Sequence, residues 1–483
     1  AAAACMISPA SSQWCAISAA VSSARSLKWA IRAVAARRLR SRRRALTVLG
    51  AATATGWFEL LRAQTYPRIL QGPMIGDTSS DSTVLWMRAS DAHRIEIEYS
   101  TDPTLKSAAR SIAIDAVPDQ DYIVRIPLQD LMPATAYAYR VLLDGKPDRY
   151  ARAPRVFRTL PRGSAPLRLA FGSCARRILD GRQPIFEAIV AAQPDGFFWV
   201  GDHVYIDSLA PMAFEYEYQL QRSVPSAQAM LNSVPQWAIW DDHDYGLNNG
   251  DRTSPVRELG LATFKKYWAN PSYGLPEAPA VFFRKRIAQV ECFFLDGRSY
   301  RDPSDQVDGP SKTQLGTVQK AWLKQALRES DATFKLLIAG GGWATSGGDK
   351  FDESWGAYRH ERDELFDFIR DERIGGVVLL SGDVHRGELN FVPRRAKGGY
   401  DLTELVSSPL AQPTRSANDN LQAEARLRSP YDGGSNFGWL EFDASSGLTL
   451  NLRDVQGRAV WEPVKLDARD LQIYRHRSVT KAF

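Results

Sequence analysis

Val377-Val378-Leu379-Leu380-Ser381-Gly382-Asp383-Val384-His385 is an apolar run that stops abruptly on an aspartate, with a histidine two positions later. The same pattern occurs twice more, as Phe197-Phe198-Trp199-Val200 before Gly201-Asp202-His203 and as Trp237-Ala238-Ile239-Trp240 before Asp241-Asp242-His243. Four consecutive apolar residues rich in Val, Ile, Phe and Trp read as strands buried on both faces, the signature of a parallel sheet covered by helices. Ligands of such sheets collect at the carboxyl ends of the strands. Three Asp/His clusters on one such edge supply the hard oxygen and imidazole donors that a multinuclear metal site requires.

Outward from these runs the pattern alternates between strands and helices. Leu167–Phe171, Phe334–Ala339 and Val377–Leu380 read as strands, Val281–Phe294 as a hairpin, and Pro184–Ala192, Tyr216–Leu231, Glu258–Trp268, Val318–Leu327 and Glu361–Ile369 as helices. The last hundred residues return to strands, including Trp439–Phe442 and Leu448–Leu452. This predicts an α/β domain over 166–483, with two packed sheets flanked by helices. The polar stretch Gln412–Pro430 reads as a surface loop.

Residues 66–160 follow a different pattern, of short alternating strands such as Ser82–Arg88, Arg94–Tyr99, Tyr122–Ile126 and Ala136–Val141, with turn residues between them and no helix of useful length. An all-β sandwich is expected there. Leu131-Met132-Pro133-Ala134-Thr135-Ala136-Tyr137 resembles the corner before the penultimate strand of fibronectin type III and immunoglobulin-like modules. Phe157–Pro166, punctuated by Pro and Gly, reads as the linker.

A length of 483 residues exceeds one compact core and accommodates both domains. The formal charge of +6 does not describe a nucleic-acid-binding face. Residues 1–63 hold ten of the 61 basic and one of the 55 acidic side chains, so the remainder carries 51 basic against 54 acidic. Within 1–63, Ser41-Arg42-Arg43-Arg44-Ala45-Leu46-Thr47 precedes the modestly apolar Val48–Phe58 and resembles a twin-arginine export signal. Glu59 and Arg62 interrupt the apolar stretch, which falls short of the roughly 20 residues of a spanning helix. The expectations are export through the twin-arginine translocase to the periplasm or outside the cell, and no stable membrane span. A basic amphipathic tail is the alternative reading. Two cysteines beyond this segment, Cys174 and Cys292, make no disulfide framework.

Three of the six histidines, His203, His243 and His385, fall directly after the strand-terminal aspartates. Taken singly, each aspartate also suits a helix N-cap or a turn. Taken together they favour metal. Tyr205 follows Asp202 by three positions, and a bridging carboxylate with a tyrosinate suits hard Fe³⁺. Cys174 closes the strand from Leu167 and offers a thiolate to the same ion, or is an inert strand-end thiol. Arg298 has the planar fork to clamp a phosphate, or forms a surface salt bridge. His360 opens a charged helix and reads as solvated.

In order along the chain, Phe171-Gly172-Ser173-Cys174-Ala175, Gly201-Asp202-His203-Val204-Tyr205, Trp240-Asp241-Asp242-His243-Asp244-Tyr245-Gly246, Leu295-Asp296-Gly297-Arg298-Ser299-Tyr300-Arg301-Asp302 and Ser381-Gly382-Asp383-Val384-His385 resemble the motifs of the alkaline phosphatase D (PhoD-like) family of calcineurin-like metallophosphatases. The resemblance extends from about 66 to the C-terminus. It implies a ferric ion held by Cys174, Asp202 and Tyr205, calcium in neighbouring positions, and Asp242, Asp383 and His385 as further ligands. Carboxylates at positions where other metallophosphatases place Asn and His favour Ca²⁺ or Mn²⁺ over Zn²⁺. His203 falls at a variable position of the motif and reads as peripheral.

The expected activity is hydrolysis of phosphomonoesters, and of phosphodiesters as well, by hydroxide that the metals activate, with His243 stabilising the transition state or protonating the leaving oxygen. A phospholipase D-like phosphodiesterase shares that chemistry. A non-catalytic binding protein built on the sandwich is the alternative from another class, against which the full set of ligand positions argues.

Overall fold

The computed structural model describes residues 66–473, except 152, 178, 345–353 and 417–422. The twin-arginine reading of Ser41–Thr47 and His476 lie outside the described residues.

The sandwich pairs a three-stranded antiparallel sheet, Ile69–Thr78, Thr83–Ala89 and Ile123–Leu128, with a second sheet built on Arg94–Ser100, Ala136–Leu143 and Arg155–Arg158. Inward-facing residues such as Leu85, Ile97, Ile126, Val141 and Phe157 form its own core. At the corner, Tyr137 Oη accepts the Met132 N–H at 2.8 Å, the tyrosine-corner bond that ties the start of a strand to the backbone just upstream.

Two larger mixed sheets follow. In the first, Leu167–Gly172, Gly196–Val200 and Gln236–Ile239 are parallel neighbours, extended through antiparallel Asn436–Phe442 to Gly447–Asp454 and Val464–Asp467. In the second, Val290–Phe294, Phe334–Ile338, Val377–Ser381 and Leu402–Val406 are parallel neighbours flanked by antiparallel strands. The strands that carry the three runs are buried along their whole length, which explains their lack of alternation. The sheets pack face to face, with Phe198 edge-on to Phe294 at 5.1 Å and Phe334 against Phe442 at 5.3 Å.

The helices match their expected positions with one break. Tyr216–Leu231 is two helices, Pro211–Gln221 and Pro225–Leu231, because Pro225 cannot continue the first and starts the second. The described residues of the polar segment expected as a surface loop are half-buried or exposed, and the backbone in and just before it is tied to the strand ends. Leu410 N–H donates to Ser173 O, Ala175 bridges Ala411, Arg415 N–H donates to His385 O, and Ala425–Arg426 pairs with the strand Glu388–Val392. Backbone pairing holds 410–415 and 425–426 against the strand ends.

Candidate metal centre

The parallel strands deliver their last residues to one place. Cys174 lies two residues past the strand Leu167–Gly172, Asp202 two past Gly196–Val200, Asp242 three past Gln236–Ile239, and Asp383 and His385 two and four past Val377–Ser381. Glycine permits the approach at two of these turns. Gly201 has φ +98°, and a Cβ there would meet Asp241 Cβ at 2.5 Å; a Cβ on Gly382 would meet Ser173 Oγ at 2.4 Å. Four of the candidate ligands are themselves left-handed without being glycine: Cys174, Asp202, Asp383 and His385 have φ of 60°, 52°, 67° and 54°. Asp and His tolerate this conformation better than most residues, and such strain persists only where the surroundings over-determine it.

The donors converge into two groups. Ligand atoms of Cys174, Asp202 and His385 lie within 4.8 Å of one another, as do those of Asp202, Asp242 and His243. Asp202 belongs to both. Its Oδ2 accepts the Cys174 thiol at 3.4 Å, whereas its buried Oδ1 has no partner. The buried Tyr205 hydroxyl also has none. Orphaned oxygens of this kind are costly unless a cation satisfies them. Burial, together with the Cys174 and Asp202 charges, pushes the Tyr205 phenol well above its usual range. Burial and the Asp383 charge push the Cys174 thiol up to about 12. Burial, followed by Cys174 and the Asp242, Asp241 and Asp244 carboxylates, raises Asp202. A metal ion reverses each of these penalties by its own charge, so the donor set fits metal.

Asp383 stands differently. It belongs to neither group, and its backbone carbonyl faces Cys174 Sγ at 3.7 Å. His385 joins Cys174 and Asp202 without it. Burial and the nearby Arg415 cation lower the His385 imidazole to about 4, which keeps its ring nitrogens neutral for coordination.

His243 sits where the two functions expected of it meet. Its Nδ1 bonds to Asp207 Oδ1 at 2.5 Å and its ring lies over Tyr205 at 4.2 Å. Burial disfavours the imidazolium, but the bond to Asp207 and the Asp242 charge outweigh it and raise the pKa. Asp207 itself carries no motif beyond its closeness to Tyr205; an acid after Tyr205 is the only trace in the sequence.

Asp244 is the organiser that the motif reading passed over. It is fully buried and accepts the backbone N–H groups of Asp202 at 2.8 Å, Val204 at 3.1 Å and Asp241 at 2.7 Å, so it binds the turn of Asp202 to the turn of Asp242. Burial raises its pKa to about 8 against those donors. His203 is no ligand candidate. Its Nδ1 is 3.2 Å from Asp244 Oδ1, and its ring is boxed by Trp199, Tyr218, Phe264 and Trp268. Burial lowers its pKa, so it stays neutral. Arg222 stacks on the far side of that box, 4.0 Å from the Trp268 ring and 5.6 Å from Trp86 of the sandwich. The sandwich closes the column: Trp86 Nε1 donates to Lys266 O, Arg125 donates to Trp268 O, and Asp77 N–H donates to Ala269 O.

Arg298 is 1% exposed, and its Nε donates to Asp241 and its Nη1 to Gly250 O at 3.3 Å. It is therefore not the surface salt bridge that its position past a strand suggests. Asp296 shapes its turn by accepting the Arg298 and Ser299 N–H groups. His360 is exposed, as expected.

The profile of the PhoD-like phosphatase family matches residues 169–459, and that of the family's N-terminal domain matches 53–161. The chain belongs to the PhoD-like phosphatase family. Like its relatives it is a hydrolase of phosphoric esters. Alkaline phosphatase D of Bacillus subtilis (strain 168) is 24% identical over 399 residues, covering 69% of this chain and 67% of that protein. A solved structure of PhoD superposes with a TM-score of 0.71 at 19% identity, covering 82% of this chain and 89% of that one. Purple acid phosphatase PPD1 from yellow lupin seeds gives 0.60 at 14% identity, covering 84% and 75%. Those likenesses extend the shared architecture to a wider set of phosphatases. Among the described residues no helix is long and apolar enough to cross a membrane.

Proposed function

We propose that this PhoD-like phosphatase hydrolyses phosphomonoesters, and phosphodiesters more slowly, at a centre bridged by Asp202. The observation that carries the reading is the sharing of Asp202 between two donor groups, one with Cys174 and His385 and one with Asp242 and His243. Cys174, Asp202 and Tyr205 would hold Fe³⁺, since the carboxylate and tyrosinate oxygens suit a hard trivalent ion and a thiolate also binds iron. Asp242 would serve the neighbouring position, for Ca²⁺ or Mn²⁺, with His385 on the Cys174 side of Asp202; Asp383 is a further ligand by the family motif alone, since it joins neither group. When bound, the ions supply Lewis acidity to the phosphoryl oxygens and lower the pKa of water.

The protein's own groups do the rest. Asp207 orients His243 and keeps a proton on its ring, which suits donation to the leaving oxygen. Asp244 holds the Asp202 and Asp242 turns in register. Arg298, enclosed beside Asp241, acts as a positioning residue for the Asp241-Asp242 turn and has no open face for substrate. The arginine run before Leu46 supports export by the twin-arginine route.

Metal analysis of purified protein with a panel of aryl monoester, diester and phospholipid substrates tests the reading. Iron, a visible charge-transfer colour and phosphate release from the monoester are expected. A colourless, metal-free protein without esterase activity defeats it, and faster turnover of phospholipids would move it to a phospholipase D-like diesterase.

A further inference from the structure

His203 follows the bridging Asp202 directly, yet its ring lies among Trp199, Tyr218, Phe264 and Trp268 and is 2% exposed. A buried imidazole in an aromatic box often serves packing alone. Here one ring nitrogen has a specific neighbour: Nδ1 is 3.2 Å from Asp244 Oδ1, within hydrogen-bond distance.

Asp244 is fully enclosed, and an ionised carboxylate offers about four lone-pair directions. The backbone takes three. Oδ2 accepts the Asp202 and Asp241 N–H groups at 2.8 and 2.7 Å, and Oδ1 accepts the Val204 N–H at 3.1 Å. The His203 nitrogen is the fourth neighbour, and among these four it alone comes from a side chain.

The ring has little freedom to point elsewhere. Trp268 meets it edge-on at 4.8 Å and Trp199 at 6.2 Å, with Tyr218 and Phe264 at 5.6 and 5.7 Å. Trp268 is pinned in turn: its N–H donates to Phe264 O at 3.0 Å, its carbonyl accepts Arg125 Nε at 3.2 Å, and the Arg222 guanidinium covers its ring at 4.0 Å. The other His203 nitrogen, Nε2, is buried with no hydrogen-bond partner among the described residues. A neutral imidazole carries one N–H, and only Nδ1 has an acceptor to give it to.

We infer that His203 is a positioning residue for the metal centre: its Nδ1–H completes the bonding of the Asp244 carboxylate, which ties the Asp202 turn to the Asp242 turn. This rests on the metal-centre reading above. Without that donor, Asp244 keeps a buried lone pair with no partner, a costly state. Rotation of the carboxylate relieves it at the expense of the Asp202 and Val204 bonds, and the bridging ligand loses its support.

The test uses the full chain and two variants that separate the ring from its donor. His203→Phe keeps an aromatic ring in the box and removes the nitrogen, whereas His203→Asn gives up the ring and keeps an N–H close to the Nδ1 position. Fe³⁺ and Ca²⁺ affinities are measured by competition with a chelator, the Asp202 and Val204 amides are followed by hydrogen exchange in metal-free protein, and kcat and KM are taken at saturating metal on an aryl phosphate. His203→Phe should weaken metal binding about tenfold or more, as for loss of a group that supports a ligand. It should also speed exchange of both amides and lower kcat by a larger factor than it changes KM. His203→Asn should melt below the parent yet recover most of the metal affinity and amide protection. Parent-like metal affinity and exchange in His203→Phe would overturn the inference. So would a His203→Asn protein that binds metal no better than His203→Phe, because the packing of the ring then accounts for the effect. If His203→Phe does not fold, His203→Asn decides alone: near-parent metal affinity at a lowered melting temperature is expected, and an affinity that falls with the melting temperature overturns the role. A parent protein that takes up no metal defeats the reading of the centre separately, since exchange of the two amides still decides His203.

Discussion

The sandwich and the metal centre are both well buried, and they use burial in opposite ways. In the sandwich, Leu85, Ile97, Ile126, Val141 and Phe157 fill the core, and left-handed residues such as Asp121, Asp130 and Asp144 sit in connecting turns. At the centre the left-handed residues are the donors themselves, the buried atoms include unpartnered oxygens of Asp202 and Tyr205, and carboxylates crowd one another. One region is arranged for stability alone. The other holds local destabilisation that a bound ion relieves, which is how a binding site differs from a core.

The strongest way to break the comparison is Asp202→Asn. Activity should fall by at least ~10³-fold, in the range for loss of a centrally placed charge, whereas the metal-free variant should melt at a higher temperature than the metal-free parent because one buried carboxylate is gone. Parallel assays of phosphate release and thermal unfolding check both halves. Equal activity would remove the bridging role.

Next in size is Arg298→Leu. It leaves the Asp241 carboxylate buried without its partner, so unfolding in urea should show a loss of about 3–5 kcal/mol. A surface ion pair would cost at most about 1 kcal/mol, and that result would contradict the enclosed geometry.

A pH series sharpens the contrast further. Asp244 is held at about 8 in the folded protein against an ordinary 3.8, so the folded state keeps a proton that the unfolded chain releases. Stability of the metal-free protein should therefore be full below about pH 4 for this group and decline as pH rises toward 8. Metal should flatten that slope, and an equal slope with and without metal in differential scanning fluorimetry would refute it.

The smallest effect is expected in the other region. Ile126→Val in the sandwich core should lower stability by about 0.5–1.5 kcal/mol and leave metal content and KM unchanged. A change in metal content would show that the sandwich bears on the centre through the Trp86, Arg222, Trp268 and His203 column more tightly than packing alone requires.

Much of this was readable from residue order. Continuous apolar runs identify strands covered on both faces, and the residues that follow each run must emerge at the carboxyl edge; Asp202, Asp242, Asp383 and His385 were therefore placed there by pattern, whereas Cys174 joined them through the family resemblance. The family motifs then supplied chemistry that spacing does not contain. Asp207 and Asp244 were not legible in the same way. Each acts through a partner at another strand end, Asp207 on His243 and Asp244 on the Asp202 and Val204 amides, and no local pattern encodes such a meeting. Arg298 shows the same limit. Its local sequence favours solvent, and only the packing of Asp241 against it decides that it turns inward. Sequence determines which faces must be buried and which residue ends each strand, because both follow from short-range periodicity. Tertiary structure alone decides which charges are compensated, because compensation depends on distances between residues far apart in the chain.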